Sequence, residues 1–258
     1  MIGITTVREA GRDVYEQAQA RAAALGLPCD KREGSLSEMA ARNIREGYLI
    51  YGRKPPYYWS PEGEYHFHLG TASLRIRQLE EGKRDRLCAL LPEGDALSVL
   101  DCTFGRGNDA AIFSFFLGEK GSVVSLEKSI PLYEVGRAGL LSGIDERPAV
   151  QKALRRIRLL HEDFRTFLSR APEKSYDVLY FDPMFRVPVK REVNRIEGFR
   201  QAACYDGIDA EVLEKASAVA RKRVILKERP FSKLFRELHF SRIYEHPGQS
   251  TAYGVIDV

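Results

Sequence analysis

The stretch Leu97-Ser-Val-Leu-Asp101-Cys-Thr-Phe-Gly105-Arg-Gly107-Asn-Asp109 decides the fold of this 258-residue chain. The apolar run over 96–101 predicts a buried strand, and the glycines that follow it predict a tight turn. A helix is predicted directly after the turn, over 109–117. Glycines in this position let the backbone approach a ligand, and the N-terminus of a helix presents unpaired N–H groups to it. The stretch therefore predicts a strand, a ligand-binding loop and a helix.

Strand and helix patterns alternate from this stretch onward. Further strands are predicted at 122–127, 157–163, 175–182 and 222–227, and further helices at 131–142, 149–156 and 210–220. Such alternation indicates a parallel sheet with right-handed crossovers. Two strand-like runs, at 239–246 and 251–258, flank Pro247-Gly248-Gln249-Ser250 and predict an antiparallel hairpin. The predicted fold class is α/β, a Rossmann-like and mostly parallel seven-stranded sheet with a C-terminal antiparallel hairpin.

The beginning of the chain has a different pattern. Its predicted elements are a strand at 2–7, a helix at 13–25 that ends at Gly26, and short strands or a loop in the aromatic, proline-interrupted stretch 42–68. We therefore expect a small N-terminal α+β extension over 1–68 and a Rossmann-like domain over 69–258.

A long helix is predicted where the second of these domains begins. The periodicity of residues 71–91 places Leu74 on the inward face and Arg75 on the outward face. Basic and acidic residues are interleaved on the outward face, which is typical of a helix surface in contact with water.

The composition is that of an ordinary globular protein: 44% of the residues are hydrophobic, 29% are charged, and the formal net charge is +4. The four cysteines are far apart and form no CxxC pair, which argues against a disulfide scaffold or zinc module and indicates a reducing compartment. No apolar run suits a signal peptide or a membrane span, so we expect a cytoplasmic protein without a membrane partner. The small positive charge permits a polyanionic partner without requiring one.

The glycine loop departs from the dinucleotide-binding pattern. A full GxGxxG motif is absent because Asn108, Asp109 and Ala110 follow Gly107. An acid at the start of the helix would repel a pyrophosphate, but it suits a ligand with a positively charged amino group. The loop therefore favours S-adenosylmethionine over NAD, with a nicotinamide oxidoreductase as an alternative. The candidate cofactor-binding residues in this stretch are Asp101, Thr103, Gly105, Gly107 and Asp109.

Two further acids stand at the ends of predicted strands. Glu127 closes the second strand, where a carboxylate can accept hydrogen bonds from both ribose hydroxyls. Asp163 closes the third strand, where it can bind the adenine amino group while Phe164 contacts the ring. A surface glutamate and a helix N-cap aspartate are the alternative interpretations. Three successive strands that each end in an acid indicate a cofactor site more strongly than any one of them.

The fourth strand runs into Asp182-Pro183-Met184-Phe185, which resembles the [D/N/S]-P-P-[F/Y] motif of methyltransferases that act on nucleobase amines. An exocyclic amine is a poor nucleophile because its lone pair is delocalised into the ring. The Asp182 carboxylate and the Pro183 carbonyl can accept both amine hydrogens and turn the lone pair toward a sulfonium methyl group, while Phe185 stacks on the base. These four residues are the candidate catalytic residues, and no metal is required. The alternative is a strand-terminating Asp-Pro turn.

A basic, proline-interrupted segment follows this motif. Arg186, Lys190, Arg191 and Arg195 come just after the proposed amine site, where the phosphates of a nucleic acid would arrive. We therefore predict that these four residues bind RNA.

Ordered blocks over 65–258 resemble one family, the bacterial S-adenosylmethionine-dependent 16S ribosomal RNA guanine-N2 methyltransferases of the methyltransferase J family. The blocks include VLDCTFGRGNDA at 99–110, LYFDPMF at 179–185 and KRVILKERP at 222–230, and Met184 is close to family-specific. The resemblance implies a class I methyltransferase fold, transfer from S-adenosylmethionine to guanine N2, and 16S ribosomal RNA or the small ribosomal subunit as partner. It places cofactor contacts at Asn108, Asp109, Glu127, Lys128, Asp163, Phe164 and Asp182.

Other functions fit part of the same pattern. The acceptor geometry of the Asp-Pro motif serves any exocyclic amine, so an adenine-N6 or DNA amino-methyltransferase is an alternative. A non-catalytic module that binds the cofactor or RNA is another. The chain also departs from the family, because Asn108 stands where its better-known members have arginine, and the first 64 residues match it poorly.

Overall fold

The computed structural model describes residues 1–142, 147–183, 207–246 and 248–258. Within these ranges the chain forms two compact units. The first consists of 1–68 and 129–142, and the second of 69–128 and the remaining described residues. The first segment of the first unit ends at His68, and this unit also takes in residues 129–142. The expected extension over 1–68 and domain over 69–258 stay predictions.

The described part of the first unit contains four strands and three helices. They are β1 (Gly3–Thr6), β2 (Tyr48–Tyr51), β3 (Tyr57–Ser60), β4 (Gly63–Tyr65), α1 (Arg12–Leu25), α2 (Leu36–Asn43) and α5 (Ile130–Leu141). The sheet has the order β1-β2-β3-β4, with a parallel first pair and antiparallel pairs after it. The aromatic stretch thus forms short strands, and α1 ends at Gly26 with φ 65°, as predicted.

A buried carboxylate joins three elements of this first unit. Glu134 on α5 is 0% exposed. It accepts hydrogen bonds from Arg21 of α1 at 2.7 Å, from Arg137 at 2.7 Å and from the Tyr51 hydroxyl of β2 at 2.6 Å. Burial by itself would raise the pKa of Glu134, but these donors outweigh it and lower the pKa to about 2. The carboxylate is therefore ionised and fully paired.

The second unit is built on a seven-stranded sheet. Its strands are β5 (Ser98–Asp101), β6 (Ser122–Glu127), β7 (Ile157–His161), β8 (Tyr176–Phe181), β9 (Ala220–Glu228), β10 (Arg242–Tyr244) and β11 (Ala252–Asp257). The order is β10-β11-β9-β8-β5-β6-β7. β5 to β9 are parallel, whereas β11 is antiparallel to both β9 and β10. This sheet confirms the predicted fold class, including the C-terminal hairpin.

Helices cover both faces of this sheet. They are α3 (Thr71–Glu80), α4 (Asn108–Leu117), α6 (Pro148–Arg156), α7 (Phe164–Arg170), α8 (Ala210–Val219) and α9 (Leu234–Glu237). On one face, Phe113 of α4 packs edge-on against Tyr180 at 5.1 Å between ring centroids. On the other, Phe181 shares a hydrophobic core with Val212 of α8. Burial on both faces explains why β8 is apolar along most of its length. Within the described ranges, no helix is long and apolar enough to cross a membrane.

The predicted helix over 71–91 is wrong in its second half. α3 ends at Glu80, and Gly82 follows with φ 76°, a backbone conformation that ends a helix. Leu74, expected to face inward, is 59% exposed. Arg75, expected to face outward, is largely buried because it pairs with two carboxylates of the same unit. Apolar periodicity alone does not reveal such a pairing.

Candidate active site at the carboxyl ends of the strands

The carboxyl ends of the parallel strands bring the predicted acids to one edge of the sheet. Asp101 ends β5 and Glu127 ends β6, while Asp163 and Asp182 follow β7 and β8 closely. The chain order reverses at β5, which lies between β6 and β8. Open α/β sheets bind ligands at the carboxyl ends of the strands where the order reverses. This edge is therefore the candidate active site.

The glycine loop between β5 and α4 adopts a conformation that favours glycine. Gly105 has φ 55° and Gly107 has φ 74°, and a Cβ on Gly107 would lie 2.5 Å from the Phe104 ring. The Gly105 N–H donates to the Glu127 carboxylate at 2.9 Å, which ties the loop to the end of β6. The Oδ1 of Asn108 is buried without a hydrogen-bond partner among the described residues. A close backbone turn beside an unsatisfied acceptor fits S-adenosylmethionine, whose amino and hydroxyl groups are donors.

Asp101 lies at the start of this loop. It is 1% exposed and accepts hydrogen bonds from the Thr103 backbone N–H and the Ser125 hydroxyl, each at 3.1 Å. Burial raises the pKa of Asp101 to about 8, and the negative charges of Asp109 and Asp182 add to the rise. Asp101 therefore stabilises the turn mainly in its neutral form.

Asp109, in the first turn of α4, is the centre of a buried charge network. It accepts hydrogen bonds from Arg75 at 2.7 Å, from Lys227 at 2.8 Å and from the Tyr180 hydroxyl at 2.6 Å. Burial by itself would raise the pKa of Asp109, but Lys227 and Arg75 outweigh it and hold the pKa well below its ordinary range. The sequence predicts that Asp109 receives the amino group of the cofactor. In the structure, groups of the protein itself already occupy both of its oxygens.

Asp182 is more open than Asp109. Its side chain is 31% exposed, against 9% for Asp109. Its Oδ2 accepts a hydrogen bond from Lys227 at 2.7 Å, and its backbone N–H donates to the Thr103 hydroxyl at 2.6 Å. Partial burial raises the pKa of Asp182 and the charge of Asp109 adds to the rise, while Lys227 opposes it. Oδ1 has no partner among the described residues.

Asp163 caps α7, which is one of the two interpretations that the sequence leaves open. Its carboxylate accepts a hydrogen bond from the Arg165 backbone N–H at 2.7 Å and pairs with Lys128 at 2.6 Å. Partial burial would raise the pKa of Asp163, but these partners lower it. Phe164, expected to contact adenine, is buried with its ring edge-on to Phe181 at 5.7 Å. Its ring therefore belongs to the core.

The sequence did not predict the cations of the network, Lys227 and Arg75. Lys227 follows an apolar run at the carboxyl end of β9, and a lysine there is unfavourable unless it is paired. That unfavourable placement was the available signal. The sequence contains no comparable signal for Arg75, because its partner Asp109 is 34 residues away in the sequence.

Several predicted site residues lie outside the described residues. They are Met184, Phe185, Arg186, Lys190, Arg191 and Arg195. Their catalytic and RNA-binding roles stay predictions.

Comparison with known proteins assigns the chain to a family. Residues 64–245 match the family described as "Putative SAM-dependent methyltransferase", where SAM is S-adenosylmethionine. The chain is 32% identical to the uncharacterized protein YpiP of Bacillus subtilis (strain 168), over 98% of each chain. It is 30% identical to the ribosomal RNA small subunit methyltransferase J of Thioalkalivibrio sulfidiphilus, over 86% of each chain. The chain therefore belongs to the class I S-adenosylmethionine-dependent methyltransferase family that includes the methyltransferase J proteins.

A solved structure shows the same fold. A SAM-dependent methyltransferase from Neisseria gonorrhoeae is similar with a TM-score of 0.65, which covers 100% of this chain and 96% of that one at 16% identity. This likeness confirms the Rossmann-like methyltransferase architecture. S-adenosylmethionine is accordingly the cofactor, as the glycine loop and the acids at the strand ends predict.

Proposed function

We propose that the protein methylates an exocyclic base amine of RNA, specifically guanine N2 of 16S ribosomal RNA. The observation that carries the proposal is the Asp182 carboxylate after β8, which has one oxygen held by Lys227 and the other without a partner among the described residues. The motif Asp182-Pro183-Met184-Phe185 supports a base amine as the acceptor. The relationship to ribosomal RNA small subunit methyltransferase J supports ribosomal RNA as the substrate.

Two acceptors of this chain would orient the amine. Asp182 Oδ1 accepts one amine hydrogen and the Pro183 carbonyl accepts the other, which turns the nitrogen lone pair toward the methyl group. The Thr103 hydroxyl holds the backbone of Asp182 in place through the 2.6 Å hydrogen bond. Bound S-adenosylmethionine supplies an electrophilic methyl group on a positively charged sulfur.

The cofactor would lie along the edge formed by the strand ends. The turn at Gly105 and Gly107 would let the backbone come close to the cofactor, and Glu127 at the end of β6 would accept hydrogen bonds from the ribose hydroxyls. The proposed contacts are Asp101, Thr103, Gly105, Gly107, Asn108, Glu127, Lys128, Asp163 and Asp182, whereas the predicted contacts of Asp109 and Phe164 are left out because both side chains are taken up within the protein.

RNA would reach this edge through the basic segment after the motif. Arg186, Lys190, Arg191 and Arg195 supply positive charge that can neutralise phosphates. A ribosomal substrate implies that the protein works in the cytoplasm.

Methyl transfer from isotope-labelled S-adenosylmethionine to small ribosomal subunits and to free 16S ribosomal RNA tests this function. Mass analysis of the nucleosides should find the label in N2-methylguanosine. Asp182→Ala should lower kcat/KM by about 100-fold or more, because an acceptor of the reacting amine is lost. Asp177→Asn is the matched control, because Asp177 lies at the other end of β8 and binds Ser98. Its activity should stay close to that of the wild type.

Two results would contradict the proposal in different ways. Label in N6-methyladenine would replace guanine with adenine as the acceptor. A protein that binds S-adenosylmethionine and transfers no methyl group to nucleic acid would favour a non-catalytic module.

A further inference from the structure

Lys227 bridges two carboxylates of the candidate active site. Its Nζ lies 2.8 Å from Asp109 and 2.7 Å from Asp182, and its side chain is largely buried. β9 carries this lysine between β8 and β11, and Tyr253 lies opposite it in the register. Because a buried ammonium is unfavourable unless it is paired, the two carboxylates hold it between them.

In the part of the chain that the structure describes, charged and titratable groups from every neighbouring element act on Asp182. They are Lys227 and Glu228 of β9, Asp109 of α4, Arg75 of α3, Asp101 of β5, Tyr180 of β8 and Tyr253 of β11. Lys227 and Arg75 are the positive members of this set. Arg75 binds Asp85 and Asp109, so within the described ranges Lys227 is the cation in direct contact with Asp182.

We propose that Lys227 is a positioning residue for the methyl transfer: its ammonium holds Oδ2 of Asp182, keeps that carboxylate ionised and leaves Oδ1 to receive the target amine. The proposal rests on the function proposed above. Asp109 anchors the ammonium from the opposite side, so the position of Lys227 is set before any substrate arrives.

The ionised state of Asp182 matters because the transfer releases a proton. The amine lone pair forms the new N–C bond while the C–S bond of the sulfonium breaks and its electron pair stays on sulfur. The alkylated nitrogen then carries a surplus proton, which Asp182 Oδ1 accepts and passes to solvent. A carboxyl group that is already protonated cannot accept this proton, so activity should fall as Asp182 becomes protonated.

The pH dependence of kcat/KM tests the role of Lys227. Lys227→Met removes the cation beside Asp182, so the acidic limb of the profile should move up by about 1–3 pH units. Lys227→Arg keeps the charge and should leave the limb close to that of the wild type. Asp109→Asn removes a negative neighbour and should move the limb to lower pH.

Lys222→Met is the matched control on the same strand. Lys222 is also on β9, but its Nζ binds the Glu93 carbonyl at 3.0 Å, away from the network. The pH profile of this variant should follow that of the wild type.

A titration of Asp182 followed by carboxyl NMR separates this proposal from the proposed function, since it needs no methyl acceptor. Lys227→Met should raise the pKa of Asp182 in the full-length protein, and Asp109→Asn should lower it. An Asp182 titration unchanged by Lys227→Met, with an equal loss of activity at every pH, would overturn the role of Lys227.

If Asp182 titrates as expected but the wild type methylates no base amine, the proposed function fails instead. Should Lys227→Met not fold, Lys227→Arg and Asp109→Asn still decide the question, because an unmoved limb in Asp109→Asn contradicts the electrostatic coupling.

Discussion

Three aspartates of one site have three different electrostatic environments. Among the described residues, Asp101 has hydrogen-bond donors but no cation in contact, and burial raises its pKa to about 8. Asp109 contacts two cations, which hold its pKa low despite its burial. Asp182 shares one cation with Asp109, and its other oxygen has no partner in the described ranges. The sequence predicted Asp101 and Asp182 as site residues from their places at strand ends, and Asp109 from its place at the start of the next helix. Burial and contacts with distant residues decide their charge states.

Replacement of Asp101 by asparagine should change how stability depends on pH. The folded-state pKa of about 8 lies above the ordinary value near ~3.9, so the folded state binds more protons than the unfolded state between these values. Wild-type stability therefore falls as pH rises through this window. Asp101→Asn has no titrating group at this position and does not lose stability in this way. Its free energy of unfolding minus that of the wild type should therefore rise between pH 5 and 8 by on the order of a few kcal/mol. Urea unfolding at both pH values measures it, and a difference independent of pH would show that Asp101 is ionised in the folded protein.

At the scale of elements, local signals predicted some boundaries and failed at others. The loop before α4 was predictable, because a strand, two glycines and a helix follow one another directly in the sequence. The end of α3 was not, because the leucine periodicity continues past Gly82 although the backbone turns there. The inward turn of Arg75 depends on Asp85 and Asp109, which lie outside the helix. Periodicity indicates which side chains of a helix avoid water. The pairing of a charged side chain depends instead on residues of other elements that pack against the helix.

The glycine loop should not tolerate a side chain at Gly107. The φ of 74° and a Cβ position 2.5 Å from the Phe104 ring both oppose alanine there. Gly107→Ala should therefore shift the loop and weaken S-adenosylmethionine binding about 10-fold or more, measured by calorimetry.

Gly26→Ala is the control for this variant, because Gly26 has a similar φ of 65° and no atom within 4 Å of its Cβ position. It should lose about 1 kcal/mol of stability and bind the cofactor normally. Equal affinities of the two variants would show that the loop at Gly107 does not contact the cofactor.

At the scale of the whole molecule, the division into units does not follow the chain. The strand–helix alternation includes α5 as a crossover helix, yet α5 belongs to the same compact unit as the first 68 residues. The Glu134 network of that unit joins α5 to α1 and β2. The sequence pattern predicts domains that are continuous along the chain. It does not show that α5 belongs to the same unit as residues 1–68.

Loss of the Glu134 carboxylate should destabilise the protein. Glu134→Ala leaves Arg21 and Arg137 without their shared partner, and we expect a loss of about 3 kcal/mol in urea unfolding at pH 7. The folded-state pKa of about 2 lies below the ordinary value of a glutamate, so this contribution is present above about pH 4.5 and lost as pH falls toward 2. The difference in the free energy of unfolding between wild type and Glu134→Ala should therefore shrink as the pH falls from about 4.5 toward 2.

Glu16→Ala is the control, because Glu16 is exposed and pairs only with its helix neighbour Arg12 within the described residues. It should cost less than about 0.5 kcal/mol. A similar loss in both variants would contradict a special role for the buried carboxylate.

The sequence by itself determined the fold class, the glycine loop and the acids at the strand ends. Each of these depends on residues that are neighbours along the chain, and side-chain periodicity and turn chemistry are properties of short segments. The tertiary structure alone decided which acids are charged, which oxygen of Asp182 the described residues leave without a partner and which cations lie beside the acids. The physical reason is that these properties depend on distances in space, and Lys227 reaches Asp109 across 118 positions of the sequence.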